Sequence, residues 1–311
     1  MHYFALAPRP STPPSTLLGA YAHLKRAESV LVTGWERVGA HEFTVGVRWP
    51  AAQGDLPYDP RLLTQTIRQS GLVIAHAAYE VPLTHQTMLG SLDFTVTPGF
   101  RVPRDRTATL DVRITVAATG SSRRTSRSLQ LSFHILRSGV TVARAASEFR
   151  WISPAVYRRV RGAHLSVDWG SWPLPAPMDA KLAGRASAAD VVLAPGDRPH
   201  RWLLRNDPSN HLLFDHPVDH VPGLALLEAA YQAAHALQAA YQAAHALLAP
   251  AAPFMAGRVA ITYDRYVEFD RPCWIEAESL PAPGPDRCAV QVSGTQGEEP
   301  AFRVMFGEVE R

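Results

Sequence analysis

Cysteine and lysine are nearly absent from this chain. Of 311 residues only two are cysteine, Cys273 and Cys288, and neither sits in a CxxC. That excludes a disulfide framework and leaves a zinc ribbon or an iron–sulfur site nothing to build on. Only Lys25 and Lys181 are lysines, so the 31 basic residues are almost all arginine, against 28 acidic ones and a net charge of +3. So small an excess does not demand nucleic acid, and no DNA-binding signature occurs. Arginine's bidentate fork does suit a phosphate or a carboxylate. No apolar run reaches the roughly eighteen residues a membrane span needs. The start of the chain lacks a basic stretch followed by an apolar core, so no signal peptide is expected and the cytoplasm is the default location. Neither a P-loop, a GxGxxG nor a GxSxG is found, which removes the usual basis for nucleotide-dependent or serine-hydrolase chemistry. No cofactor is called for.

What is present has the balance of a soluble globular protein, 46% hydrophobic, 19% charged and 9% aromatic. Residues 1–28 open with a Pro/Ser/Thr-rich tail and read as a flexible lead-in. Strand-like stretches 29–38 and 42–49 follow, the second alternating as Phe43, Val45, Val47, Trp49. Tyr58-Asp59-Pro60 then starts a helix whose apolar residues Leu62, Leu63, Ile67, Leu72 and Ile74 are spaced helically, ending before Pro82. Only strands come after it, up to residue 153. Residues 154–184 carry Pro154, Pro173, Pro175 and Pro177 with Gly162, Gly170 and Gly184, which reads as a linker. Over residues 185–311 the order recurs: strands at 189–193 and 201–205, a long helix opened by Pro222-Gly223, then strands again. Strand, strand, helix and several strands, occurring twice, is an internal repeat. One early helix per antiparallel sheet is the plan of a hotdog domain. The expected fold is therefore α+β, a tandem (double) hotdog with domains 29–153 and 185–311, each a curved antiparallel sheet wrapped around a central helix.

The two helices align, Gln65-Thr66-Ile67-Arg68-Gln69 against Glu228-Ala229-Ala230-Tyr231-Gln232. Inside the second, Ala229–Gln238 is followed by a near copy, Ala239–Leu248. Ten residues lengthen a helix by about 15 Å and turn its faces by roughly 80°. Tyr241 and His245 are thus not expected to meet the neighbours of Tyr231 and His235.

Residues 214–229 carry the densest chemistry. Asp215-His216-Pro217-Val218-Asp219-His220 runs into the Pro222-Gly223 helix start, with Glu228 on the helix. A helix N-terminus offers free backbone N–H groups and the positive end of a dipole, suited to a thioester oxygen that is gaining charge. A histidine beside it can serve as general base. The i, i+4 spacing of His216 and His220 does not read as a metal pair, since Pro217 opposes a helix and no third ligand is evident.

This segment resembles the active-site helix of the β-hydroxyacyl-carrier-protein dehydratases, where a catalytic histidine precedes a Pro-Gly helix start and a catalytic glutamate lies inside the helix. Glu228 and Gln232 match the Glu-x-x-x-Gln of that helix. A closer resemblance spans nearly the whole chain. Thr33-Gly34-Trp35, Ile67-Arg68-Gln69-Ser70-Gly71 with Ala75-His76 and Val81-Pro82, and DHPVDHVPG-x-x-LLEA in the second half occur in the order found in the A-factor biosynthesis (AfsA-like) family. That resemblance implies an acyltransferase of γ-butyrolactone-type signalling. Such enzymes pass a β-ketoacyl group from an acyl carrier protein thioester to the hydroxyl of dihydroxyacetone phosphate, and the ester cyclises to a butenolide phosphate.

Members usually show Glu-x-x-Arg-Gln in both helices, whereas here Gln65 stands in the first for the glutamate and Tyr231 in the second for the arginine. The resemblance implies Glu228, His216 and His220 as the catalytic candidates. Arg68, on the substrate phosphate, Gln65, Gln69, Gly223, Tyr231, Gln232 and His76 are the candidate binding residues, with Glu228 and Arg68 sharing one composite site. A dehydratase or thioesterase acting on acyl thioesters, or a degenerate paralogue that binds acyl ligand or a regulator, are the alternatives. Two basic clusters, Arg123-Arg124 with Arg127 and Arg158-Arg159 with Arg161, could dock an acidic carrier protein by electrostatic steering. Either a monomer or a homodimer is compatible, because a tandem hotdog supplies its own internal pairing.

Overall fold

A computed structural model describes residues 14–52, 56–117, 126–244, 254–281 and 288–307. In the first half lie β1 (Val32–Arg37), β2 (Glu42–Trp49), β3 (Gln86–Val96), β4 (Ala108–Ala117), β5 (Ser126–Arg137) and β6 (Val140–Ile152). The second half holds β7 (Leu193–Pro195), β8 (Arg201–Leu204), β9 (Arg258–Tyr263), β10 (Cys273–Pro281), β11 (Cys288–Gln296) and β12 (Glu299–Gly307). All twelve join one antiparallel sheet in the order β1-β2-β4-β5-β6-β3-β9-β12-β11-β10-β8-β7. Read inward from either edge, the two halves repeat the same order, and they meet where β3 pairs with β9, Leu92 opposite Ile261 and Phe94 opposite Val259. The internal repeat is thus a repeat of topology, the α+β double hotdog.

Side chains leave a strand alternately on its two faces. Along β4 buried and exposed residues alternate over its whole length, and the buried set joins Phe43, Trp49, Phe149 and Trp151 in the core. The helix α2 (Pro60–Tyr79) lies against this core. It starts where the Asp59 side chain accepts from the Arg61 amide at 2.9 Å with Pro60 in the first turn. Contact with the sheet is close enough that a Cβ on Gly71 would lie 2.7 Å from the Phe149 ring. Gly71→Ala should therefore destabilise the fold by about 1–3 kcal/mol through overpacking. Thermal unfolding reads this directly, and an unchanged Tm would mean that the Phe149 ring swings aside freely.

The second central helix, α4 (Gly223–Ala244), carries the first alanine-rich copy and runs into the second. The rotation shows in the tyrosines. Tyr231 is buried against Phe306, with ring centroids 4.8 Å apart, while Tyr241 is exposed and stacks on His200 at 6.3 Å. His245 lies outside the described residues. No helix among the described residues is long and apolar enough to cross a membrane.

Three parts of the structure differ from the sequence-based expectation. Of the expected flexible lead-in, residues 1–13 lie outside the described residues, and the remainder includes a helix, α1 (Ser15–Tyr21), because Leu18 and Ala22 are buried. The expected strand at 189–193 is a short 3-10 turn at Ala188–Asp190 followed by the brief β7. The Pro/Gly-rich connection includes a helix, α3 (Pro154–Arg161), and its Trp172 stacks on Phe269 at 4.2 Å. Proline and glycine interrupt ladders without preventing apolar neighbours from anchoring the chain.

Candidate active site

The glutamines of the two central helices show how the halves correspond. Gln69 Oε1 accepts from the Leu31 amide at 2.8 Å and its Nε2 donates to the Ser29 carbonyl at 2.9 Å. In the same manner Gln232 Oε1 accepts from the Val192 amide at 2.9 Å, and its Nε2 donates to the Asp190 carbonyl at 2.8 Å. Each glutamine ties its helix to the segment entering the first strand of its half. Gln65 and Arg68 therefore correspond in place to Glu228 and Tyr231.

Around Glu228 the charges are packed away from solvent. Its side chain is 0% exposed, and Arg185 meets it bidentately, Nε to Oε1 at 2.6 Å and Nη2 to Oε2 at 2.5 Å. Gln232 Nε2 also donates to Oε1. Arg61, from the start of α2, stands close enough for Glu228 and Asp59 to raise its pKa against the opposing effect of burial, and it bonds Asp59 and Asp190. Both Glu228 oxygens are thus occupied. Tyr231 belongs to this group, and its buried hydroxyl has no hydrogen-bond partner among the described residues. Gly223 begins α4 beneath Tyr263, whose hydroxyl donates to the Gly223 carbonyl at 3.1 Å, and a Cβ there would lie 2.9 Å from that hydroxyl.

Arg68 stands in a different group. Its one hydrogen bond among the described residues is to the Ala22 carbonyl, at 3.2 Å. Burial lowers its pKa to about 10, with the nearby Asp215 charge opposing, and the residue is half-buried. Asp215 accepts from the amides of Lys25 at 2.6 Å and Arg26 at 3.2 Å. It also meets His216 Nδ1 at 3.0 Å. Burial would raise the Asp215 pKa, but these bonds and the Ser29 hydroxyl outweigh it and hold the carboxyl below its usual range. His23 and His76 complete the group, Nε2 to Nε2 at 2.7 Å. Gln65, buried, touches Gln69 at 3.5 Å on the same helix.

A family model described as the A-factor biosynthesis hotdog domain matches residues 7–153 and 171–305. The chain belongs to the A-factor biosynthesis hotdog family. Among curated relatives, the 2-oxo-3-(phosphooxy)propyl 3-oxoalkanoate synthase of Streptomyces virginiae is 34% identical, covering 94% of this chain and 97% of that protein. The synthase of the same name from Streptomyces coelicolor is 33% identical over 89% of this chain and 86% of its own length. Among solved structures, an acyl-ACP thioesterase from Bacteroides thetaiotaomicron is 13% identical, covers 85% of this chain and 97% of its own, and has a TM-score of 0.48.

In this member of the A-factor biosynthesis family the expected site residues fall into separate groups. Among the described residues no hydrogen bond or ion pair joins Glu228 and Arg68, which were expected to share one composite site. Glu228 gathers Arg185, Arg61 and Tyr231, whereas Arg68 gathers Asp215, His216, His23 and His76, because the loop before α4 lies against the first half of the chain. His220 forms a third group. Its Nδ1 meets Asp219 at 2.8 Å, and Asp219 is also held by Arg161 Nε at 2.9 Å and Tyr157 Oη at 2.8 Å. Burial opposes, yet these partners hold the Asp219 carboxyl far below the usual carboxylate range. Arg161, expected among docking residues, is instead internal, its guanidinium on Asp219 and Glu268. Arg158 and Arg159 are exposed on α3, while Arg123 and Arg124 lie outside the described residues.

Sequence reasoning missed Arg185, Arg61 and His23. The doubled Asp-His pair in DHPVDH was a signal for the partners of His216 and His220, since each histidine bonds the aspartate before it. Nothing in the sequence marked Arg185, 43 residues before its carboxylate.

Proposed function

We propose that this chain is an acyltransferase of the 2-oxo-3-(phosphooxy)propyl 3-oxoalkanoate synthase type. It transfers a β-ketoacyl group from an acyl carrier protein thioester to the hydroxyl of dihydroxyacetone phosphate, on the way to a butenolide phosphate. The observation that carries this reading is the pairing, in one group, of an arginine bonded to no carboxylate among the described residues with an Asp–His dyad: Arg68 beside Asp215 and His216. Arg68 is suited to the phosphate, which it can grip with two N–H groups.

His216 is suited to the proton. With Nδ1–H directed at Asp215, its Nε2 carries a lone pair. That nitrogen takes the proton of the acceptor hydroxyl as the oxygen attacks the thioester carbonyl. When the tetrahedral intermediate collapses the C–S bond breaks, and the imidazolium returns the proton to the leaving thiolate. Asp215 fixes the tautomer and stabilises the imidazolium. Glu228, engaged on both oxygens, holds the second half together rather than moving a proton.

Mass spectrometry of the protein incubated with a β-ketoacyl thioester, with and without dihydroxyacetone phosphate, tests the reading. An ester or butenolide phosphate appears only when both substrates are present. Free acid or enoyl thioester formed without the acceptor would identify a thioesterase or dehydratase instead.

A further inference from the structure

His23 has no place in the proton transfers above, yet its backbone adopts a left-handed conformation (φ 55°), uncommon outside glycine, close enough to Arg68 to feel its charge. We propose that this group of side chains binds a phosphate monoester dianion together with one proton, which the His23–His76 pair takes up from solvent. The proposal rests on the reading of Arg68 as the phosphate-binding residue.

The ring protons can be assigned from the partners. His76 Nδ1 lies 2.6 Å from the Val81 carbonyl oxygen, which can only accept, so Nδ1 carries the hydrogen and Nε2 of the neutral ring carries a lone pair. His23 Nε2, 2.7 Å away, must then be the donor. The remaining nitrogen, His23 Nδ1, is left bare, without a hydrogen and without a partner among the described residues. The two ring centroids lie 4.8 Å apart with their planes 28° from parallel, as edge-to-edge rings joined by this bond would. Burial first, and then the charges of His76, Arg68 and His216, lower the His23 pKa to about 3, and burial lowers that of His76 as well, so the unliganded pair is neutral near pH 7.

Charge balance then decides what an incoming phosphate requires. Facing the pair are Arg68 on α2 and Asp215 and His216 from the loop before α4, while His85 acts on His76 and Tyr21 stacks on it at 6.1 Å. On the same segment as His23, Lys25 and Arg26 point their amides at Asp215, and the Arg26 guanidinium donates to the Asp215 carbonyl at 3.2 Å and pairs with Glu28 at 3.7 Å. Arg68 and Asp215 nearly cancel, as do Arg26 and Glu28, so a dianion brings negative charge that a protonated histidine would offset. His216 must stay unprotonated to accept the hydroxyl proton. That leaves His23, whose bare Nδ1 repels a phosphate oxygen until a proton lies between them. One proton adds to Nδ1, and no other bond changes. The left-handed backbone and the hydrogen bond that His23 Nε2 donates to His76 hold the ring for this contact.

Sulfate tests this, because it stays dianionic near neutrality and cannot itself take the proton. Calorimetric titration of the full chain with sulfate at about pH 6, in buffers of different ionisation enthalpy, should report close to one proton taken up per ion bound. As the pH rises towards about 8, the affinity should fall, by up to about tenfold per unit. His23→Asn, which suits left-handed backbone, should abolish the uptake and flatten the pH dependence, and His76→Gln should reduce both. Uptake that survives both variants, or is lost only in His216→Gln, overturns the inference. Sulfate binding that is absent, or that Arg68→Met leaves unweakened, overturns the phosphate reading itself. Binding through Arg68 without proton uptake overturns this inference alone.

Discussion

His216→Gln should lower kcat by about 10²–10⁴-fold while leaving the thermal unfolding curve in place, because a positioned general base contributes on that scale. Glutamine keeps a polar side chain near Asp215 but offers no nitrogen able to accept and then return a proton at neutral pH. Asp215→Asn should act in the same direction through a different cause. An amide can present its NH₂ to Nδ1, which reverses the tautomer and directs the histidine N–H, instead of the lone pair, at the substrate hydroxyl. Asp215 also accepts the amides of Lys25 and Arg26, so Asp215→Asn should lose some stability as well, whereas His216→Gln should not. His220→Gln is the control. Its dyad with Asp219 is anchored to Arg161 and Tyr157, in a separate network, so its loss of kcat should stay within about tenfold. Comparable losses in both histidine variants would move the base to His220, and a His216→Gln enzyme of full rate would remove the dyad from the chemistry.

Arg185→Met should destabilise the protein by about 3–5 kcal/mol, the cost of leaving a buried carboxylate without its partner. Glu228 has no exposed side-chain surface and Arg185 only 7%, so water cannot take over the lost bonds. Glu228→Gln should cost a similar amount, since Arg185 and the nearby Arg61 would then share too little negative charge. The double variant Arg185→Met/Glu228→Leu should recover much of either single loss, because a buried ion pair replaced by apolar groups of similar volume is often neutral. Urea unfolding of the three variants measures the coupling, and strictly additive losses would show that the pair contributes nothing jointly. The same variants weigh Glu228 against the acid/base role its helix position suggests. If folded Glu228→Gln loses more than about a hundredfold in kcat, the carboxylate returns to the reaction.

The sequence by itself determined the architecture. Alternation such as Phe43, Val45, Val47, Trp49 needs only a strand with one buried face, and the helical spacing from Leu62 to Ile74 needs only a helix against it. Both signals are local, and their recurrence in the second half foretold a sheet of two topologically identical parts. The aligned helix positions were legible for the same reason: Gln69 and Gln232 do the same work in both halves. Only the tertiary structure decided which charges meet. Arg185 reaches Glu228 across 43 positions, His23 reaches His76 across 53, and Asp215 is held by an amide 190 residues away. Periodicity carries no information about such pairs, because they depend on how the connection and the loop before α4 pack against the two helices. A side chain's protonation and charge balance follow from those neighbours. The chain therefore spells out its two halves, while the division into a buried ion-pair group around Glu228 and a second group around Arg68 and Asp215 arises only when the halves close on each other.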